Sequence, residues 1–194
     1  MAEIIGANRV VFSNMKSITI TPWTNESTKG SVTYDLTEVV GDTTSLEQAE
    51  NDTTTIESEF RSTPLYENIQ LGEKTFSLEM LDLQEGVLTE LFGWEEITGG
   101  VVAPNAYEHL YATIIMRFNS TDRVIVLPKV LLNSRAIIAS MKTDASRANI
   151  TGTCYTAFVG GKETDMVMLT DGAEAYKEDS AILALISVEE GAGA

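Results

Sequence analysis

The sequence predicts a mainly β domain with one short α-helix lying across a sheet and a long acidic loop. Thr, Val and Ile recur in short runs whose polarity alternates residue by residue, the period of a half-buried strand. Only the segment after Asp82 switches to clear helical spacing. The stretch 39–55 is poor in apolar residues and has no basic one, as befits a loop.

The strands read in order. Ser17–Thr21 alternates and is stopped by Pro22. Gly30–Leu36 places Val32, Tyr34 and Leu36 on one face. Thr75–Leu81 sets Phe76, Leu78 and Met80 against Thr75, Ser77 and Glu79. Leu110–Phe118 is more continuously apolar. Val124–Leu132 is broken or bent at Pro128. Ile137–Met141, Asn149–Val159 and Met166–Leu169 follow, and Ala181–Val188 fits a last strand or a short helix, with strand preferred. The helix begins at a capping-box pair, Asp82 and Glu85, and carries Leu83, Val87, Leu88, Leu91 and Phe92 on one stripe. Gly93 follows where a left-handed terminal residue is wanted. Glu95–Tyr107 reads as irregular, and the final Glu-Glu-Gly-Ala-Gly-Ala as a frayed tail. The whole, residues 1–194, is one domain with a long loop at 39–55 and flexible N- and C-terminal arms.

Composition narrows the function. Hydrophobic residues make up 43% of the chain, enough for a core without disulfides. Cys154 is the single cysteine and sits in an alternating run, as a small packing residue does. No signal peptide and no apolar run of membrane-spanning length is visible. The net charge of -16 works against binding nucleic acid or anionic membrane. The charge is uneven: from Asp35 to Glu67 nine acidic residues stand against one basic residue, Arg61.

Catalytic motifs are missing. His109 is the only histidine, and no nucleophile elbow, phosphate-binding glycine loop or zinc-helix motif is present. Glu47, Glu50 and Asp52 offer oxygen ligands, but without the Asp/Gly spacing of a calcium loop. Glu57 and Glu59 share one strand face without the context of a glycosidase pair. The expectation is a protein that is not an enzyme, takes no cofactor or metal, and works by contact with its own copies or a partner.

Three stretches together resemble the major tail tube proteins of long-tailed, non-contractile bacteriophages. They are the Thr/Glu-rich strand Thr53–Phe60 after the acidic loop, the strand-into-helix unit from Lys74 to Gly93, and the late set Val124–Leu132, Ile137–Ala139 and Asn149–Cys154. Type VI secretion and contractile-tail tube proteins share the architecture. The resemblance implies a β-sandwich or barrel with the helix on its flank, in hexameric rings stacked into a virion tail tube and assembled in the bacterial host cytoplasm. It implies tape-measure, tail-terminator and initiator or baseplate proteins as partners, with genomic DNA passing through unbound and no membrane contact. It makes Asp42, Leu46, Glu47, Glu50 and Asp52 the inter-ring contact loop. Glu57, Glu59 and Glu79 become the candidate acids facing the lumen, although strand alternation allows the outer face equally. Another class fits the same composition, a β-rich binding or decoration module of a virion or appendage. A type VI secretion-like tube subunit differs from the first reading only in setting.

Overall fold

The computed structural model describes residues 15–36, 39–40, 42–58, 61–81, 85–104, 110–133, 135–137, 147–170 and 176–188, and side chains at all of these except 54–58, 61–68, 85 and 135–137. The first strands are β1 (Met15–Asn25), β2 (Thr28–Lys29), β3 (Tyr34–Asp35), β4 (Ser45–Gln48), β5 (Asp52–Ser58), β6 (Arg61–Gln70) and β7 (Lys74–Met80). Helix α1 (Glu85–Phe92) comes next, then β8 (Glu95–Ile97), β9 (Gly100–Val102), β10 (Leu110–Phe118) and β11 (Arg123–Leu132). The chain continues through β12 (Arg135–Ile137), β13 (Arg147–Tyr155), β14 (Ala157–Val159), β15 (Lys162–Thr164) and β16 (Val167–Thr170) to α2 (Asp179–Ala184) and β17 (Ile186–Ser187).

One large antiparallel sheet organises the molecule, in the order β2-β1-β10-β11-β13-β7-β4. Its inner face carries Ile18 and Ile20 of β1, Ile114 and Met116 of β10, Leu127 and Val130 of β11, Ile150 of β13, and Phe76, Leu78 and Met80 of β7, all buried in one core. Helix α1 closes that core with Val87, Leu88, Leu91 and Phe92, the stripe its 3.6-residue spacing predicts. Tyr34 and Asp35 pair with β1, and Val39 bridges to Met80 of β7.

The outer face is divided. Across β1, β10 and β11 it is apolar, with Trp23, Ile115, Val124 and Val126. The small sheet β15-β14-β17 and helix α2 cover it through Ala157, Val159, Ile182, Leu183 and Ile186. Across β4, β7 and β13 the same face carries half-buried Ser45, Ser77, Asn149, Thr151 and Thr153, and needs no cover.

Pro128 is accommodated where a break was an alternative. Strand β11 runs on through it, and the register slips by one residue, Ala112 facing Val130 while Ile114 faces Leu127. This bulge puts Leu127 and Val130, three apart, on the same core face. Its polar groups are satisfied by a buried relay. Trp23 Nε1 donates to Thr113 Oγ1 at 2.9 Å, and Thr113 Oγ1 donates to the Pro128 carbonyl at 2.8 Å. Thr113→Val is expected to strand both partners and cost about 2 kcal/mol of stability, readable as a fall in the urea midpoint with an unchanged slope.

Four readings of the sequence are corrected. Strand β1 passes through Pro22 to Asn25 instead of stopping. The Pro22 carbonyl accepts from Gly30 on the outer edge, so the N–H that proline lacks would also face that edge and not β10. Within Gly30–Leu36 only Tyr34 and Asp35 pair, and Val32 is exposed. Glu95–Tyr107 contains the β8–β9 hairpin, turned at Gly99 with φ 92°. Ala181–Val188 is the end of α2 followed by β17, not one strand. The ammonium of Lys29 reaches the carbonyls of Leu183 and Ile186 at the end of that helix, a long-range contact that local pattern does not encode.

Candidate assembly surface

The predicted loop 39–55 contains two strand segments, and this changes what projects from the body. Ser45–Gln48 forms β4 against β7, and Asp52 already begins β5. An apolar residue within the acidic run contributes. Leu46 lies opposite Phe76 and packs on the main core, which holds the acidic strand to the sheet edge. Leu46 is therefore an anchor for the segment.

Beyond β4 the chain leaves the sheet as a long hairpin. Strands β5 and β6 pair from Asp52↔Gln70 to Ser58↔Arg61, with a register shift between Ile56 and Ser58. They form a sheet of two strands, and no third strand joins it among the described residues. A two-stranded ribbon is marginal in water and leaves two rows of unpaired backbone groups. Ile69, at 57% exposure, and Leu71, at 76%, stand at its base. A ribbon with open edges and exposed apolar residues at its root is built to be completed by another chain.

The root is rigid. Ala49 N–H donates to the Glu73 carbonyl at 2.9 Å, and Gly72 N–H donates to Asn51 Oδ1 at 3.1 Å. A Cβ on Gly72 would lie 1.9 Å from the Ala49 carbonyl oxygen, so only glycine lets the two chains cross there. The arm is thus aimed by the body.

Of the predicted contact residues, Asp42, Glu47, Glu50 and Asp52 are exposed. Asp42 turns the chain with φ 61°, a conformation Asp tolerates better than most residues. Of the predicted lumen acids, Glu57 is on β5, Glu59 lies outside the described residues, and Glu79 sits on the polar outer face of β7. Glu79 is not a bare charge there, because Arg147 Nη1 donates to its Oε2 at 3.0 Å. Gly72, Ile69 and Leu71 were missed. The Leu-Gly pair ending the run Ile69–Gly72 was the available signal, and only the chain crossing explains it.

His109 lies outside the described residues. No group of three or more His, Cys, Asp or Glu gathers to hold a metal among the described residues. Cys154 is buried, and burial, then the nearby Asp165 carboxylate, pushes its thiol up to about 11 from 9.0. Two outcomes follow. At pH 8 a thiol reagent is expected to label the native chain orders of magnitude more slowly than the urea-unfolded chain, followed by absorbance. Stability is expected to fall as pH rises from 9.0 towards about 11, because the unfolded thiol loses its proton first, and Cys154→Ala should flatten that part of the profile. Among the described residues, no helix is long and apolar enough to cross a membrane.

No known family's sequence pattern matches the chain, and no curated protein matches it. Among solved structures, a chain in the 6-fold symmetrised cryo-EM structure of the anti-feeding prophage (AFP) baseplate aligns with it at 12% identity. The match covers 85% of this chain and 99% of that chain, with a TM-score of 0.44. At that identity and score, the assignment of a role falls to the chain's own residues.

Proposed function

We propose that this protein is a structural subunit without catalytic activity, which assembles with its own copies into stacked rings that form the tail tube of a bacteriophage or a closely related injection tube. The two-stranded arm carries the reading. Asp52–Ser58 and Arg61–Gln70 form a ladder that lacks a third strand among the described residues and whose root crosses the body closely at Gly72. An arm of this kind gains stability by pairing with or packing on a neighbour, which favours self-assembly over a free monomeric binder. The net charge of -16 suits a conduit for DNA, since a negative wall does not retain a phosphate backbone. The resemblance of the three sequence stretches supplies the rest of the proposal: hexameric rings, tape-measure, terminator and initiator partners, and a place in the virion tail.

The test removes the arm and spares the core. Excising all of 42–53 would delete β4 and the Leu46 anchor, and so would damage the body. Asp52 and Gln70 face each other across the ladder, so a short Gly-rich link between Asn51 and Leu71 replaces the arm cleanly. The wild type is expected to form rings or hollow tubes in negative-stain images at high concentration. The armless chain is expected to melt with the same cooperativity and to sediment as a monomer. Normal tubes from the armless chain would remove the basis of the reading.

A further inference from the structure

We propose that strand β5 of one copy's arm adds to the open edge of strand β16 in the next copy. The inference rests on the self-assembly reading and names the contact that the arm makes. Sheet edges that must stay unpaired carry charges, proline or bulges, because an unguarded edge is a template for another strand.

The arm has two edges, and they differ. Between Ile56 and Ser58 strand β5 advances two residues, while β6 advances five, from Tyr66 to Arg61. The three extra residues on β6 make an irregularity in the stretch that contains Pro64. A bulge and a residue without an N–H spoil that edge for strand addition. Strand β5 has neither. Its ladder runs unbroken from Asp52 to Ile56 and includes the uncharged, β-branched residues Thr53, Thr54, Thr55 and Ile56, which favour extended pairing.

The body has two strands of four residues that are paired on one side only among the described residues, β4 on β7 and β16 on β11. Strand β4 carries the exposed charge of Glu47. Strand β16 is Val167-Met168-Leu169-Thr170, without charge, proline or glycine. Val167 and Leu169 pack against the core beneath the small sheet, while Met168 is 45% exposed. Four uncharged residues of β5 thus match four of β16, and each edge offers backbone groups that no described strand takes up. The position suits the contact. Lys74, where the chain returns from the arm, is ion-paired with Asp165, just before β16. Leu71 and Met168, both exposed, each lie three residues from that pair. An arriving strand therefore lands beside the receiving copy's own arm root. Donor and receptor are different edges, so the contact is head-to-tail, the kind that closes into a ring or runs on as a filament.

The experiment is disulfide trapping on the full chain in a Cys154→Ala background, with a melting curve for each variant. Met168→Cys is combined in turn with Thr53→Cys, Thr54→Cys, Thr55→Cys or Ile56→Cys. After mild oxidation at a concentration where the wild type assembles, at least one pair is expected to give a ladder of covalent multimers on a denaturing gel. The same β5 cysteines combined with Ile97→Cys, an exposed site elsewhere, are expected to give none. Met168→Lys, which places a charge on the edge, is expected to melt like the wild type and to raise the concentration needed for assembly about tenfold or more. Folded, assembling variants that give no ladder from any pair overturn the docking and leave the self-assembly reading standing. So do covalent dimers from a β5 cysteine alone at the yield of the pairs, which would mean that arms pair with each other, and so does a Met168→Lys chain that assembles at the wild-type concentration. A wild type that assembles under no condition overturns both.

Discussion

Gly72→Ala is expected to leave the body folded and to abolish ring or tube formation. The new methyl would lie 1.9 Å from the Ala49 carbonyl oxygen and 2.8 Å from that of Glu50. Both obstacles are backbone, so no side-chain rotation relieves the clash and one chain must move by about an ångström or more. The movement breaks the bond from Gly72 N–H to Asn51 Oδ1 and re-aims everything from Asp52 to Gln70. Among the described side chains the main core contains no residue of the arm, so its melting should shift by only a few degrees. Circular dichroism and negative-stain microscopy of the same preparation separate the two effects. Tubes of normal dimensions from this variant would mean that the arm's angle is irrelevant to assembly.

Leu91→Ala is expected to give the larger loss of stability. Leu91 is 0% exposed and belongs to the one helix that closes the main core. Truncating a fully buried leucine removes its transfer energy and leaves a cavity, together about 2–5 kcal/mol. For a domain of this size each kcal/mol is worth roughly 2–4 °C, so a fall in Tm of about 6–12 °C is a central expectation. The helix already contains Gly86, which weakens it on its own, and depends on packing to persist. Scanning calorimetry gives the number. A change below about 1 kcal/mol would show that α1 does not hold the sheet, contrary to its burial.

Much of the body was legible. The alternations within Thr75–Leu81 and Asn149–Val159 place Phe76, Leu78, Met80 and Ile150 on the core side, where they are found. The helix ends at Gly93, which adopts φ 67° and donates to the Thr89 carbonyl at 3.1 Å, as its position after the apolar stripe predicts. Asp82, the predicted cap, lies outside the described residues. The assembly surface was legible in part. Its acidic character is in the composition of 35–67, but its form as a strand and a projecting ribbon is not.

Sequence alone determined the β class, the single flanking stripe of α1 and the concentration of negative charge in one stretch of chain. These follow from periodicity and composition, which act over a few residues and need no partner. Tertiary structure alone decided that Leu46 binds an acidic segment to a sheet edge, that Pro128 bends β11 without ending it, and that Ala181–Ala184 is helical. It also decided that Glu79 faces Arg147, and that Gly72 fixes the direction of the arm. Each of these depends on groups far apart in the chain meeting in space, where burial and backbone hydrogen bonding outweigh local propensity.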